Sequence, residues 1–360
     1  MISLYIHIPF CRSKCKYCDF LSFPNTEYIN AYKRALLNEI NAFDCENESI
    51  KSIFIGGGTP SVIDSSIIAE IMELTGKFNI EKNAEITIEA NPGTLTLEKV
   101  KEYRKSGINR ISMGLQAWQD SMLKTLGRIH TRESFLESYE LTRKYFDNIN
   151  IDLMFSLPNQ SYEMWIETLE NVTALKPQHI SAYSLIVEEG TPFYDMELNL
   201  PDEETDRKMY HSAIKLLEEK GYRQYEISNF ANGGFESVHN MVYWQRGAYK
   251  GFGLGAASFI DNVRYKNTES IKDYINGITV TEKEVLTKED EMAEFMFLGL
   301  RMNKGVSLSQ FNREFNEDML YRYKDVIAKY KDYFVIDEDR LSLVTGGFDI
   351  SNMIFSEMLS

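Results

Sequence analysis

Short β-branched runs alternate along this chain with longer stretches whose apolar positions recur at helical spacing. Leu4–Ile8, Ser52–Ile55, Glu85–Glu89, Arg110–Met113, Asn150–Phe155 and His179–Leu185 read as strands, being short, apolar and bounded by polar or turn-forming residues. Between them, Tyr28, Tyr32, Leu36, Ile40 and Phe43 fall on one helical face, and Trp165, Leu169, Val172 and Leu175 on another. Both stripes read as core-facing and carry no chemistry. Strand–helix alternation of this kind predicts a parallel sheet with right-handed crossovers. The expected class is α/β: a partial (β/α)6 barrel of parallel strands with a small C-terminal winged-helix-like α+β domain. In such barrels the chemistry sits on loops at the C-terminal ends of the strands.

Beyond Glu204 the spacing predicts a helix to Lys220, ended by Gly221, and then a strand over Tyr222–Ser228. The following stretch is rich in glycine (Gly233, Gly234, Gly247, Gly251, Gly253, Gly255) and aromatics, and reads as a loop-rich return to the barrel. The pattern weakens over Asp261–Tyr274, which puts a domain boundary near Gly277 and gives domains of 1–277 and 278–360. The second is helical and ends in two strand-like runs, Tyr333–Ile336 and Leu341–Val344, suggesting helices followed by a β-wing.

Composition narrows the function. A formal net charge of −15 argues against nucleic acid as the main partner, because phosphates are neutralised by a basic surplus. No apolar run reaches the roughly 20 residues that span a bilayer. Met1–Tyr5 shows no basic region followed by an apolar stretch, so a cytoplasmic location is expected. Three of the four cysteines crowd into His7-Ile8-Pro9-Phe10-Cys11-Arg12-Ser13-Lys14-Cys15-Lys16-Tyr17-Cys18-Asp19-Phe20. A disulfide framework would spread and pair them, so they read as metal ligands.

This loop follows the first expected strand, where a barrel places its site. Gaps of three and two residues between Cys11, Cys15 and Cys18 let one loop wrap three thiolates around a cubane 4Fe–4S cluster. Three protein ligands leave the fourth iron open to a further ligand. Arg12, Lys14 and Lys16 alternate with the thiols, and their charge favours thiolate. The competing reading is structural zinc, with His7 four positions before Cys11 as a fourth ligand. His7 lies inside the expected strand, and zinc sites of this kind usually bring two separated ligand pairs, so the cluster is preferred. Cys45, in a polar stretch, reads as incidental.

CxxxCxxC with an aromatic, Tyr17, before the third cysteine resembles the radical S-adenosylmethionine superfamily. The longer string Tyr-Ile-His-Ile-Pro-Phe-Cys is similar to the branch that holds oxygen-independent coproporphyrinogen III dehydrogenases and heme chaperones, over nearly the whole chain. The resemblance implies a 4Fe–4S cluster on Cys11, Cys15 and Cys18, S-adenosylmethionine on its open iron, and reductive cleavage of that cofactor. Gly56-Gly57-Gly58-Thr59-Pro60 follows the second strand. By itself it suits either a tight turn or a backbone that approaches a ligand closely. The resemblance assigns Gly57, Gly58 and Thr59 to the methionine part of the cofactor. It likewise implies cofactor contacts for Tyr5 and Tyr17, and for Glu89, Gln116, Arg128 and Asp152 around the barrel mouth. Carboxylates there suit ribose hydroxyls, and Arg128 suits the cofactor carboxylate.

The branch divides on two features. In the dehydrogenases the cluster motif continues to a further cysteine, where this chain has Phe20, and an extension precedes the first strand, which here opens at Leu4. Both features resemble the heme chaperones. So does His239-Asn240-Met241-Val242-Tyr243-Trp244, similar to an HNxxYW motif of that branch. Imidazole is a common axial ligand of heme iron and aromatics suit a porphyrin face, which makes His239 a candidate heme ligand. The same residues also suit plain packing. The expected function is heme binding and transfer to acceptor proteins such as respiratory cytochromes, with membrane contact arising only through an acceptor. The alternative is radical decarboxylation of coproporphyrinogen III.

Overall fold

The computed structural model describes residues 1–45 and 48–359. Six parallel strands form the heart of the fold: β1 (Ile2–Ile8), β2 (Ser49–Gly57), β3 (Asn79–Ala90), β4 (Arg110–Gln116), β5 (Ile149–Phe155) and β6 (His179–Ser184), paired in chain order. The crossovers carry α1 (Ile29–Ala42), α2 (Ser65–Thr75), α3 (Leu97–Lys105), α4 (Asp120–Thr125), α5 (Arg132–Thr142) and α6 (Tyr162–Ala174). Helix starts are set locally. Asp64, Thr96 and Ser161 cap their helices, and Thr131 forms a reciprocal capping box with Ser134. Tyr32, Leu36 and Ile40 of α1, and Trp165, Leu169 and Val172 of α6, are buried against the sheet as their spacing predicts.

The strands are buried on both faces, and the two faces differ. Outward residues such as Leu4, Ile6, Ile53, Ile55, Ile86 and Ile88 join the apolar core beneath the helices. Inward residues are largely polar: Ser3, Tyr5 and His7 on β1, Ser52 on β2, Glu85, Thr87 and Glu89 on β3, Arg110 and Ser112 on β4, Asn150 and Asp152 on β5, His179 and Ser181 on β6. Register places Ser3 beside Ser52, Ser52 beside Glu85, Ser112 beside Asn150, and Asn150 beside His179. The partial barrel therefore encloses a polar lumen.

After α7 (Glu203–Glu219), the strand expected over Tyr222–Ser228 is two short antiparallel ones, β7 (Arg223–Glu226) and β8 (Asn229–Ala231), and β8 pairs with β6. The stretch read as loop-rich is also more ordered than expected. It forms α8 (Val238–Trp244), β9 (Tyr249–Phe252), β10 (Ala257–Ile260) and β11 (Val263–Asn267). β9 lies parallel to β1 and extends the sheet on its other side. Glycine allows this: a Cβ on Gly251 would stand 2.2 Å from the Ala257 carbonyl oxygen. After α9 (Ile271–Ile275), β12 (Val280–Val285) pairs with β11, so the main sheet runs past Gly277. We propose a domain boundary after Val285 instead.

The C-terminal region follows the order α10 (Lys288–Gly299), β13 (Val306–Ser307), α11 (Leu308–Phe315), α12 (Met319–Arg322), α13 (Lys324–Lys329), β14 (Phe334–Asp337) and β15 (Arg340–Leu343), with a sheet ordered β13-β15-β14. Helices completed by a hairpin wing give the expected winged-helix-like arrangement. Two short helices, α14 (Thr345–Asp349) and α15 (Ser351–Glu357), close the chain. Among the described residues no helix is long and apolar enough to cross a membrane.

Candidate functional site

The cysteine loop leaves β1 and is fastened at both ends. Cys11 N–H donates to Phe23 O (2.9 Å) and Phe23 N–H to Pro9 O (2.7 Å), closing its base. Further along, Lys16 N–H donates to Leu126 O, and Phe193 N–H donates to Lys16 O, both at 3.0 Å. The glycine turn after β2 lies against the start of the loop: Gly58 N–H donates to Ile8 O (2.9 Å) and Thr59 N–H to Phe10 O (2.8 Å). A Cβ on Gly58 would meet backbone atoms of Phe10 and Ile8 at 2.8–3.0 Å. Close approach, not turn formation alone, is therefore why glycine stands there.

The three thiols line one cavity of ≈ 410 Å³ at the C-terminal ends of the strands, with Tyr17, Thr59, Glu89, Gln116, Arg128 and Asp152. Cys11 Sγ lies 3.5 Å from Thr59 Oγ1, which accepts from Asn91 Nδ2 (2.8 Å). Arg128 donates to Gly114 O (2.8 Å) and Asn91 Oδ1 (3.2 Å) and stands 3.7 Å from Cys15 Sγ. Any side chain at position 114 would strike it. Glu89 accepts from Gly57 N–H at 3.1 Å, and Gly57 has φ +111°, which only glycine adopts without strain. Asp152 accepts from Asn150 Nδ2 (2.7 Å) and Ser112 Oγ (3.1 Å).

The electrostatics leave this cavity incomplete without a ligand. Burial, followed by the charge of Asp152, pushes Glu89 up to about 8, and burial also raises Asp152. Burial pushes the Cys18 thiol up to about 11. Arg128 Nε is buried with no partner among the described residues. Two carboxylates held toward their neutral forms suit a cationic ligand, the free guanidinium edge suits a carboxylate, and thiols ionise when an electropositive metal replaces the proton. The residues thus fit a thiolate-held cluster beside an amino-acid cofactor bearing a sulfonium.

Not every expected residue lines the cavity. Tyr5, Gly57 and Gly58 stand behind it. Tyr5 donates to His7 Nδ1 (2.9 Å), and His7 Nε2–H donates to Leu21 O (2.8 Å). Both nitrogens of His7 are therefore engaged in positioning the loop, which speaks against it as a zinc ligand. Asn91, Tyr183 and Ile186 line the cavity and were not singled out as cofactor contacts. Asn91 is the residue that joins Thr59 to Arg128. Its only sequence signal is the Asn-Pro-Gly turn at a strand end.

His239 lies elsewhere. It is 2% exposed, on α8, which plugs the barrel at the N-terminal ends of the strands. Ser52 Oγ donates to Ser3, so His239 Nδ1–H donates to Ser52 Oγ (2.9 Å), and Nε2 accepts from Tyr243 O–H (3.0 Å). Its ring stacks on Phe54. No lone pair is left for iron, and burial lowers the imidazole to about 3. In this arrangement His239 serves packing and hydrogen bonding, the other role that its motif suits. Glu85 fixes the same plug, accepting from Val238 N–H and His239 N–H, each at 3.1 Å.

Comparison with known proteins agrees with this architecture. The family model "Radical SAM superfamily" matches residues 5–172 and "HemN C-terminal domain" matches residues 286–344. The second match begins directly after β12. Escherichia coli coproporphyrinogen III oxidase, a radical SAM enzyme, superposes with a TM-score of 0.86 over 100% of this chain and 90% of that one, at 22% identity, which establishes the shared fold. The heme chaperone HemW of Lactococcus lactis is 37% identical, covering 99% of this chain and 97% of that protein. Its Bacillus subtilis counterpart is 35% identical over 100% and 99%. The Escherichia coli HemW is 33% identical over 86% and 85%. With its thiol-lined barrel mouth and full-length likeness to these relatives, the chain belongs to the radical SAM superfamily and, within it, to the HemW family.

Proposed function

We propose that this protein is a heme chaperone, which binds heme and passes it to acceptor proteins such as respiratory cytochromes, acting in the cytoplasm. The observation that carries the reading is likeness to proteins named as heme chaperones over essentially the whole chain. Position 20 agrees with it. Where the dehydrogenase pattern has a further cysteine, Phe20 stands 61% exposed at the cavity mouth. An exposed apolar ring there suits a flat apolar ligand rather than a metal.

Cys11, Cys15 and Cys18 would hold the 4Fe–4S cluster. Arg128 would pair with the carboxylate of S-adenosylmethionine, Glu89 and Asp152 with its cationic and hydroxyl groups, and Thr59 and Gln116 would complete the wall. When bound, the reduced cluster supplies one electron to the sulfonium. The chain's own part is to orient the cofactor and shield it from water. Tyr5 and His7 act behind the wall, holding the loop base.

Two assays on anaerobically reconstituted protein test the reading. Heme added at equal concentration should bind and then move to an apo-cytochrome, followed by absorption spectroscopy. Coproporphyrinogen III with reductant and S-adenosylmethionine should give no protoporphyrin product. Product formation, or no heme transfer, would overturn it in favour of the decarboxylase.

A further inference from the structure

A second cavity of ≈ 410 Å³ lies between the end of α8 and the small C-terminal sheet, and it shares no lining residue with the thiol cavity. One part of its wall is apolar, from Trp244, Phe295, Met302 and Val306; another is cationic, from Lys304 and Arg340. Burial first, then the charges of Arg340 and Lys51, hold the Lys304 ammonium below its ordinary range. Lys304 and Arg340 thus line one crevice in a chain of net charge −15.

Among the described residues only the Asp339 carboxylate, itself held down in part by the Arg340 charge, offsets this group. Arg340 Nη1 points to the backbone oxygens of Lys304 and Gly305 at 3.5 and 3.4 Å, and neither side chain joins an ion pair among the described residues. The adjacent Asp339 is turned to Ser307 and Ser309. Arg246, on the same wall, is already held by Glu291, Glu294 and Glu314. Trp244 Nε1 is buried without a partner among the described residues, and the Arg301 guanidinium lies 4.5 Å from the indole ring centre. Lys304 and Arg340 are exposed cations beside a buried N–H donor, an arrangement that suits an incoming anion. A cavity of this size with convergent polar groups on an apolar wall has the form of a small-molecule site.

We propose that this crevice binds an organic carboxylate, its charged end between Lys304 and Arg340 and its apolar part against Trp244 and Phe295. The inference is independent of the heme-chaperone reading. A free small carboxylate and the propionate edge of a porphyrin share this chemistry.

The test is calorimetric titration of sodium phthalate into the reconstituted full-length protein at low salt. Wild type should bind, a Lys304→Gln/Arg340→Gln variant should bind at least about tenfold more weakly because two charge-assisted contacts are lost, and an Arg313→Gln variant should match wild type. Displacement of phthalate by mesoporphyrin IX but not its dimethyl ester would identify the porphyrin as the source; displacement by neither would identify a free carboxylate. No phthalate binding by wild type, equal binding by the double variant, or equal displacement by the ester would overturn the proposal.

Discussion

The two ends of the barrel lumen are built from the same residue types and behave differently. At the floor, polar groups largely complete one another. Glu85 caps α8, His239 is held by Ser52 and Tyr243, and His179 donates to Asn150 Oδ1 (2.6 Å) while accepting from Tyr225 O–H (2.8 Å). At the mouth, Arg128 Nε lacks a partner, Glu89 is forced toward its neutral form, and three thiols converge. Internal satisfaction marks architecture, and convergence without satisfaction marks a ligand site. The contrast is not absolute, because Arg110 Nε at the floor also lacks a hydrogen bond, lying 3.7 Å from Glu85 Oε2.

The largest expected effect breaks the floor. Arg110 is 2% exposed, and Arg110→Met leaves the Glu85 carboxylate buried against only the α8 N–H groups and the Ser237 hydroxyl. Losing one partner of a buried pair typically costs about 3–5 kcal/mol. Urea unfolding should show a loss of that order. A change below about 1 kcal/mol would mean the floor is not held by this pair.

At the mouth the sign reverses. Glu89→Gln removes a destabilised carboxylate, so the ligand-free protein should be no less stable at pH 7. S-adenosylmethionine binding should weaken by about 1.5–3 kcal/mol, the range for hydrogen bonds to charged groups. The pH dependence follows. Glu89 ionises near 4.5 in the unfolded chain and near 8 in the folded protein, so the folded state holds the extra proton between these values. Raising pH through that window lowers stability, by at most about 1.4 kcal/mol per unit. A cationic ligand favours the carboxylate. Cofactor binding near pH 7 should therefore release a proton, and affinity should rise with pH up to about 8. Calorimetry in buffers of different ionisation enthalpy reads this directly, and Glu89→Gln should abolish it.

His239 gives a slope of the same limiting size and opposite sign. It takes a proton near 6.5 when unfolded and near 3 when folded, so stability is lost as pH falls below 6.5. His239→Gln should flatten that acid limb while leaving heme stoichiometry unchanged. Loss of heme binding by a folded His239→Gln protein would restore the ligand role. The smallest effect is Ser237→Ala, which removes the α8 cap accepting from Asn240 N–H and costs about 1 kcal/mol in thermal unfolding.

The six parallel strands were legible because each is a short apolar run between helical stretches. The added strands β9–β12 were not. β9 and β10 hold a few residues each, and β12 reads Val-Thr-Glu-Lys-Glu-Val with every position exposed, so burial leaves no pattern there. The cysteine loop was legible from its spacing, whereas Glu89, Arg128 and Asp152 were implied by the resemblance; Arg128 lies in the loop between α4 and α5, where no periodicity marks it. Asn91 was missed as a contact because a lone amide at a turn has many uses. His239 was ambiguous for a related reason: imidazole, phenol and indole in one motif serve a porphyrin or a packed plug equally well.

The most direct test of the division between mouth and floor is the paramagnetic resonance signal of the reduced cluster, recorded with and without S-adenosylmethionine, in wild type, Arg128→Gln and His239→Gln. The cofactor should perturb the signal in wild type and His239→Gln and leave it unperturbed in Arg128→Gln. A signal perturbed equally in all three, or one that loses its response in a folded His239→Gln protein, would contradict the account.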